Sequence, residues 1–295
     1  MLDIDPELIA TALERSPDYR VLRRHHPRRL FEHTGDAEIR HGLLIDLETT
    51  GLDPAYHEVI ELGALPFTYT VDGRLVAAGE PYGSFQQPFG PILPEITRLT
   101  GIDAGMVEGE FIDRSRVDAM VERADLIVAH NAGFDRTFAE DVCPALARKP
   151  WACSLVQVPW AAEGMGGKLG YIAQDFGLIY TAHRAVDDCQ ATLEILSRPL
   201  PRSGRTGFSH LLEQAFAPLY RVKAARAPFE AKDALKARRY RWDDGNKTHL
   251  RCWYKDLPED EIAGELAWLR SEVYRHDADI PIVPISPYDR FSGRV

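Results

Sequence analysis

The sequence predicts an α/β protein in which a domain with a mixed sheet flanked by helices is followed by a smaller α/β domain. Three apolar segments near the start, at 43–48, 59–65 and 67–78, are joined by turns and fit hairpin-connected strands at one edge of a sheet. Strands and helices then alternate, which after an antiparallel start indicates a mixed sheet. A proline-rich segment at 199–204 interrupts the pattern before it begins again, so a domain boundary is expected there.

The first 40 residues are expected to form a short helix and a basic segment in front of the sheet domain. Residues 3–15 carry a helix start signal, with Asp5 as the cap and Pro6 in the first turn. Residues 20–30 contain five Arg, two His and no acidic residue. This segment is either a solvated stretch of surface, which is the simpler interpretation, or an arm that contacts phosphate groups.

The strand at 43–48 carries two acidic side chains in an otherwise apolar run. Because side chains alternate between the two faces of a strand, Asp46 and Glu48 project from the same face. Two uncompensated carboxylates there would repel each other and would cost roughly several kcal/mol. The pair lies either at a strand end that meets solvent or at a divalent-cation site, since hard cations prefer carboxylate oxygens. Further carboxylates along the chain decide between the two.

Turn residues and apolar periodicity define the other elements of the first domain. Asp72-Gly73 marks a hairpin turn inside the segment at 67–78, and a buried strand is expected at 126–129. Helices are expected at 94–99, at 116–124, from near Gly133 onwards, at 169–176 and at 184–196. These elements complete an α/β domain over about residues 41–200.

Helical geometry, at about 100° of rotation per residue, brings two more acidic residues towards the same site. Asp135 lies about 60° from the centre of the apolar face of its helix, so it borders the buried side near the helix start. In the helix at 184–196, Asp188 lies roughly 85° from the centre of the apolar face, whereas Asp187 lies nearly opposite. Asp188 can therefore reach the sheet, while Asp187 points to water. His183 falls on the turn before this helix and can lean over the same site.

Three segments in this order resemble the exonuclease motifs of the DEDD superfamily, in its histidine-containing branch. They are residues 46–51 (Asp-Leu-Glu-Thr-Thr-Gly), 130–135 (His-Asn-Ala-Gly-Phe-Asp) and 183–188 (His-Arg-Ala-Val-Asp-Asp). That branch includes the proofreading epsilon subunit of bacterial DNA polymerase III and ribonuclease T. The resemblance covers about residues 41–198. It implies an RNase H-like fold with a five-stranded mixed sheet, and stepwise 3′→5′ removal of nucleoside monophosphates.

The resemblance also implies a role for each motif residue. The expected ligands of two divalent cations, Mg²⁺ or Mn²⁺, are Asp46, Glu48, Asp135 and Asp188. His183 would be the general base, because a histidine can accept a proton from water near neutral pH. The residues expected to contact substrate are Thr49, Thr50, Leu52, Asn131 and Phe134. Leu52 is either a wedge against the terminal base or a residue of simple loop packing.

Two other signals in the first domain are weaker. The glycine-rich segment at 164–169 lacks the Ser or Thr of a phosphate-binding loop, since Leu169 stands at that position. It is expected to be a loop before a helix. His25, His26 and His130 are expected to be polar surface or supporting groups and not metal ligands.

The second domain is expected over residues 204–280, with a proline-rich tail at 281–295. Its predicted elements are a helix at 208–216, a strand at 219–224, a helix at 229–238, a hairpin turning at Asp244-Gly245 and a helix at 259–274. The side chains predicted to face its core are Phe229, Leu235, Ile262, Leu266 and Leu269.

This second domain is basic. Residues 205–255 contain twelve Lys or Arg against five Asp or Glu, with Tyr and Trp interleaved. Such a surface suits nucleic acid, because cations bind phosphates and aromatic rings stack on unpaired bases. Alternatively, the Trp residues belong to the core and the charges only solvate the surface.

Composition excludes several classes of protein. No window approaches the roughly 20 apolar residues of a membrane span, and the acidic N-terminus lacks the apolar core of an export signal. The four cysteines are scattered, which favours reduced thiols in the cytoplasm over a zinc or disulfide framework. The net charge of −10 hides two basic segments that flank an acidic centre, as expected for a polyanion substrate at a carboxylate–metal site.

We therefore expect a metal-dependent exonuclease that acts on the single-stranded 3′ end of DNA, in repair or proofreading. An exoribonuclease of the same branch is the alternative, because the sequence alone does not show a contact to a 2′-hydroxyl. A third reading is a nucleic-acid-binding accessory protein without catalysis, but the complete set of four acids and a histidine argues against it. Replication or repair proteins are the expected protein partners, and no membrane partner is expected.

Overall fold

The structure, a computed structural model, describes residues 5–32, 37–245 and 251–294. Within them the chain forms two units, one up to Ala215 and one from Phe216 onwards. No helix in the described ranges is long and apolar enough to cross a membrane.

The first unit contains the helices and strands that the sequence predicts up to residue 216, except that the segments at 59–65 and 67–71 form one continuous strand and not two. It also contains several short elements that the sequence does not predict. In chain order these helices and strands are α1 (Pro6–Glu14), β1 (Arg23–Arg24), β2 (Ile39–Thr49), β3 (Val59–Thr70), β4 (Leu75–Ala78), β5 (Tyr82–Phe85), α2 (Pro94–Thr100), α3 (Ala104–Val107), α4 (Arg114–Arg123), β6 (Leu126–Ala129), α5 (Ala132–Val142), β7 (Trp151–Cys153), α6 (Ser154–Gln157), α7 (Leu169–Asp175), β8 (Leu178–Ile179), α8 (Ala185–Ser197) and α9 (Gly207–Phe216).

The large sheet of this unit is mixed, as predicted. Its strand order is β4-β3-β2-β6-β7, and β5 also pairs with β3. β2 runs antiparallel to β3 and parallel to β6, and β6 runs parallel to β7. In the described residues the sheet has six strands and not five, because β4 and β5 pair with successive parts of the same long β3.

The centre of the sheet is buried on both faces, and helix α8 rests directly on it. Leu43, Leu44 and Ile45 are almost fully buried although they alternate between faces. A Cβ atom on Gly63 of β3 would lie 2.4 Å from the carbonyl carbon of Ala185, so the start of α8 touches the strand backbone. Since Gly63 pairs with Asp46, this contact brings the first turn of α8 to the acidic end of β2.

The division between the units lies after Ala215 and not at 199–204. Helix α9 buries Phe208 and Leu211 in the core of the first unit, where the ring of Phe208 makes an edge contact with Tyr69 at a centroid distance of 5.2 Å. The proline-rich segment is therefore a loop inside the first unit, because the apolar face of the helix that follows it is needed to complete that core.

The basic N-terminal segment lies along the first unit as a surface segment. β1 pairs in parallel with β8, and Leu30 bridges to Ala77 of β4. Several of its guanidinium groups are paired with carboxylates, among them Arg28 with Glu194 at 2.9 Å. These contacts favour the first of the two interpretations for residues 20–30, since paired arginines have less charge to offer to phosphates.

In its described residues, the second unit has a four-stranded antiparallel sheet and two α-helices. Its elements are β9 (Tyr220–Ala224), α10 (Lys232–Ala237), β10 (Arg241–Asp243), β11 (Cys252–Leu257), α11 (Glu259–Trp268), which continues as a wider turn to Tyr274, and β12 (Ile282–Pro284). The strand order is β10-β11-β9-β12. The predicted tail thus contributes a strand, because its apolar residues pair with the open edge of β9. Part of the predicted hairpin, residues 246–250, lies outside the described residues.

The core of the second unit differs from the prediction at Phe229. Leu235 and Leu269 are fully buried as predicted, whereas Phe229 is 81% exposed. Phe229 opens a short 3-10 turn in front of α10, so it does not share the inward face of that helix. Among the aromatic residues, Tyr240 is buried and Trp242 is half exposed.

Candidate active site

The first two candidate ligands lie at the C-terminal end of β2. Asp46 and Glu48 are on the same face of the strand, opposite Gly63 and Glu61 of β3. The register between the strands shifts immediately after Glu48, where the chain leaves the sheet. Both side chains therefore lie at the end of a strand, and both residues are half-buried.

Helix α8 brings the third carboxylate to them. One oxygen from each of Asp46, Glu48 and Asp188 lies within 4.8 Å of the others. The Asp188 carboxylate is fixed by two donors, the Tyr180 hydroxyl at 2.8 Å and the Arg184 backbone N–H at 3.0 Å. This trio of acidic side chains is compact enough to share bound cations, whose preferred ligands are carboxylate oxygens.

Asp135 lies beside the trio and is fully buried in the first turn of α5. Its carboxylate accepts a hydrogen bond of 3.2 Å from the backbone N–H of Leu47, between the two acids of β2. Its negative charge also raises the pKa of Asp46. The structure thus places all four expected acidic ligands in one region, and Asp135 is hydrogen-bonded to the backbone of β2.

Burial and mutual repulsion raise the pKa values of these carboxyl groups. Burial is the larger cause throughout, and it raises the pKa of Glu48 to about 8 and that of Asp135 to about 7. The pKa of Asp46 lies well above its usual range for the same reason, with Asp135 and Asp188 adding repulsion. Such a set is costly when ionised alone and is stabilised by positive charge. The donor set, all carboxylate oxygen, fits a hard divalent cation.

His183 lies on the loop immediately before α8, as the sequence predicts. Its side chain is exposed, and it precedes by one residue Arg184, whose backbone N–H donates to the Asp188 carboxylate. The backbone of His183 is left-handed, with φ at 62°. This conformation is uncommon outside glycine and is kept only where the surroundings hold it.

Among the residues expected to contact substrate, some are hydrogen-bonded within the protein and others are exposed. The hydroxyl of Thr49 donates to the Gly51 carbonyl at 2.6 Å, and that of Thr50 accepts from the Glu58 N–H at 2.9 Å. Both therefore brace the loop after β2. Leu52, at the tip of that loop, is 83% exposed and available to a ligand.

Asn131 and Phe134 flank the start of α5. Asn131 is exposed and takes the N-cap position without a capping bond from its side chain, so its amide is available. Phe134 is half-buried and packs on Phe138 at a centroid distance of 5.1 Å. The exposed part of its ring lies on the first turn of α5, which also carries Asp135.

His130 follows β6, and both of its ring nitrogens are used in hydrogen bonds within the protein. Its Nε2–H donates to the Gly167 carbonyl at 2.9 Å, and its Nδ1 accepts from the Ser154 hydroxyl at 2.9 Å. Burial lowers its pKa to about 4, so it is neutral. Its bond to Gly167 ties the glycine-rich segment to the end of β6.

Sequence reasoning missed three residues at the site, namely Glu61, Tyr180 and Arg184. Glu61 carried a signal, because it is a lone acid in the apolar run 59–65 and must find a partner. Tyr180 and Arg184 carried no such signal. Tyr180 contacts Asp188 across a turn, and Arg184 contacts Glu61 in a distant segment of the chain.

Comparison with known proteins places this site in a family. Residues 43–196, slightly more than half of the chain, match the family model described as Exonuclease. The chain belongs to the exonuclease family. The matched range begins within β2 and ends within α8, so it includes every acidic residue of the site. The family resemblance seen in the sequence is thereby confirmed.

Relatives of this exonuclease-family chain include two kinds of DNA polymerase III protein. A PolC-type polymerase of Thermotoga petrophila is 29% identical over 181 residues, which is 58% of this chain but 13% of the polymerase. The epsilon subunit of Treponema pallidum is 26% identical over 187 residues, covering 59% of this chain and 82% of the subunit. The chain thus spans only a small fraction of the PolC-type relatives that it matches.

Solved structures that match part of this chain include two exonucleases. Exonuclease X, in complex with 5′ overhanging duplex DNA, is 23% identical and covers 59% of this chain and 99% of its own, with a TM-score of 0.42. Exonuclease I of E. coli, in complex with a dA16 oligonucleotide, is 15% identical and covers 74% of this chain and 63% of its own, with a TM-score of 0.46.

Proposed function

We propose that this protein is a metal-dependent 3′→5′ exonuclease that releases nucleoside monophosphates from single-stranded DNA ends. The observation that carries the proposal is the trio Asp46, Glu48 and Asp188, whose carboxylate oxygens lie within 4.8 Å of one another in an exonuclease-family domain. His183 on the adjacent loop supplies the remaining group that hydrolysis needs.

The cations that fit this site are two Mg²⁺ or Mn²⁺ ions, held by Asp46, Glu48 and Asp188 with Asp135 beside them. When bound, such ions make a water molecule more acidic and stabilise charge on the leaving oxygen. The carboxylates would hold these cations, and Asp188 is itself oriented by the Tyr180 hydroxyl and the Arg184 backbone N–H. His183 accepts the proton of the attacking water.

DNA is the proposed substrate because the named relatives are DNA polymerase III proteins and the similar structures are complexes with DNA. Single-stranded ends suit the exposed Leu52 and the half-exposed Phe134, which can contact unpaired bases. The relatives also suggest action beside replication or repair proteins. Four free, buried cysteines fit the reducing cytoplasm, where we place the protein.

We also propose that the second unit binds nucleic acid. Only some of its Lys and Arg side chains are available for this. Several of its cations are paired within the unit, such as Arg221 with Asp256 at 2.7 Å and Arg238 with Glu265 at 2.8 Å. Of the five Lys and Arg in residues 226–239, Arg238 is the paired one, and in the described part of the chain the other four have no carboxylate within 4.0 Å, namely Arg226, Lys232, Lys236 and Arg239. The exposed ring of Phe229 lies 5.7 Å from the Lys232 ammonium. We call these four cations and Phe229 the 226–239 surface.

The test of the catalytic proposal is a strand labelled at its 5′ end and offered as matched DNA and RNA. We expect stepwise shortening of the DNA from its 3′ end only with Mg²⁺ or Mn²⁺. Asp188→Asn should abolish shortening while its melting temperature without cations holds or rises, because one buried negative charge is removed. Asp187→Asn, one residue away, should keep most of the activity.

Three outcomes would contradict the proposal in different ways. Faster shortening of RNA would favour the exoribonuclease. Tight binding of either strand without cation-dependent shortening would favour an accessory protein. Loss of activity in Asp187→Asn with retention in Asp188→Asn would mean that the ligand on α8 is misassigned.

A further inference from the structure

Glu61 of β3 makes an unusual set of contacts beside the proposed catalytic site. Its side chain is buried, with the residue only 5% exposed. The guanidinium of Arg184 donates to both carboxylate oxygens, with Nη2–Oε1 at 3.0 Å and Nε–Oε2 at 3.3 Å. The backbone N–H of Ala185 donates to Oε2 at 3.2 Å. Both oxygens are therefore engaged within the protein, and Glu61 is not part of the carboxylate trio.

Through these contacts, a side chain of strand β3 caps the N-terminus of helix α8. Arg184 takes the N-cap position, but its own side chain makes no capping bond. The carboxylate of Glu61 instead accepts from the N–H of Ala185, the first residue of the helix, and its charge suits the positive end of the helix. Removing a cap of this kind frees the first helical turn, which here carries Asp188.

The same contacts fix the residue that precedes the cap. His183 has a left-handed backbone that its own chemistry does not favour. On its C-terminal side, Arg184 is held by Glu61 and lies 5.3 Å from the ring centroid of Phe85. On its N-terminal side, Tyr180 is bonded to Asp188. The loop that carries His183 is thus closed from both sides.

We propose that Glu61 and Arg184 form a positioning pair that sets the direction of His183 and of the first turn of α8 for hydrolysis. The inference deepens the proposed function and rests on it for its kinetic part. Neither residue touches substrate in this proposal, and the pair acts through the backbone at 183–185. The expected signature is therefore a loss in the rate of the chemical step with little change in strand binding.

The experiment compares Glu61→Gln and Arg184→Ala with Glu194→Gln. Glu194 is a matched control, because it is buried on the same helix, is 2% exposed and also pairs with arginines, Arg28 and Arg198. We expect Glu61→Gln and Arg184→Ala to lower kcat by 10- to 100-fold with KM changed less than threefold. Glu194→Gln should keep kcat within threefold of the wild-type value, although it should lose about as much thermal stability as Glu61→Gln does.

A double variant and a conservative variant test whether the pair acts as one unit. Glu61→Gln combined with Arg184→Ala should lose no more than about threefold beyond the worse single variant, since contacting residues are not additive. Arg184→Lys, which keeps the charge, should recover part of the rate. An unchanged kcat in Glu61→Gln, or a loss equal to that of Glu194→Gln, would overturn the proposal.

Hydrogen exchange separates this inference from the proposed function. In Glu61→Gln we expect at least tenfold faster exchange of the amide at Ala185, and no such change there in Glu194→Gln. If wild-type protein hydrolyses no strand but the exchange rate changes as expected, the function is wrong and the loop assignment stands. If wild-type protein is active and neither exchange nor kcat responds to Glu61→Gln, the positioning pair is wrong and the function stands.

Discussion

At the scale of single residues, two neighbouring aspartates show how position sets chemistry. Asp188 is buried, accepts bonds from Tyr180 and Arg184 and joins the carboxylates of β2. Asp187 is half-exposed and lies outside that trio. A rotation of about 100° along the helix separates the two side chains. The same rotation decides which of them can serve a cation.

His183 belongs to the same scale, and we expect His183→Ala to slow hydrolysis by roughly 10²–10⁴-fold, the usual effect of removing a positioned general base. Cation binding should change little, because the carboxylates remain. Single-turnover rates at saturating Mg²⁺, with Mn²⁺ affinity measured by electron paramagnetic resonance, check both statements. The exposed His26, whose loss should leave the rate unchanged, is the control. A His183→Ala variant as fast as wild type would remove His183 from the mechanism.

His130 makes stability depend on pH. Its pKa falls from the ordinary 6.5 to about 4 because the ring is buried. Between pH 6.5 and about 4, His130 is therefore protonated in the unfolded chain but neutral in the folded protein. Protonation stabilises the unfolded chain, so the free energy of unfolding decreases as the pH falls through this range. The limiting slope for one such group is about 1.4 kcal/mol per pH unit.

The corresponding measurement is urea unfolding at pH 7 and pH 5 for wild type and His130→Gln. Gln can still donate to the Gly167 carbonyl but does not titrate. We expect the free energy of unfolding to fall less between the two pH values in the variant, by about 1–2 kcal/mol. Equal falls in both proteins would mean that His130 keeps its ordinary pKa.

At the scale of elements, the site depends on how closely one helix approaches one strand. Gly63 permits this contact, because any Cβ at that position would overlap the backbone of Ala185 and Val186 at 2.4–2.7 Å. The cap from Glu61 and the bond from Cys189 Sγ–H to the Gly63 carbonyl join the same two elements. The distance between β3 and α8 therefore decides where Asp188 lies.

Gly63→Ala tests this arrangement. The added methyl group should push the start of α8 off the sheet, costing about 1–3 kcal/mol of stability and lowering the rate at least 100-fold. Gly170→Ala is the matched control, because Gly170 lies in α7 with nothing within 4 Å of the added carbon. It should hold or raise stability. Thermal unfolding and strand shortening measure both, and a fully active Gly63→Ala protein would contradict the close-contact argument.

At the scale of the whole molecule, the acidic site and the cations proposed to bind nucleic acid lie in different units. The first carries the acidic site, and the second carries the 226–239 surface, although the protein as a whole has a net charge of −10. Glu230 and Asp233 lie in the same stretch and reduce its net charge. The aromatic ring of Phe229 is therefore as important to the proposal as the cations are.

We expect Phe229→Ala to weaken binding of a long single strand by about 1–3 kcal/mol. Replacing Lys232, Lys236 and Arg239 with Ala should reduce the salt dependence of binding, since each phosphate contact contributes roughly 0.7 to the logarithmic slope. Arg270→Ala is the control, because Arg270 is paired with Asp277 at 2.9 Å. Hydrolysis of a dinucleotide should be unaffected in all three. Unchanged binding and salt slope would assign the second unit another role.

The sequence by itself determined the mixed α/β class and the exonuclease family, and it predicted the four acidic residues that the structure brings into one region. The class and the faces on which the acidic side chains lie follow from local periodicity, because each face is set by its own segment. The family follows from the resemblance of three motifs. Only the tertiary structure showed that β4 and β5 share one edge of β3, that α9 completes the first core, and that Phe229 is exposed. It alone revealed the contacts of Glu61 with Arg184 and Ala185. Each of these depends on segments distant in the chain, whose approach is decided by packing and not by local pattern.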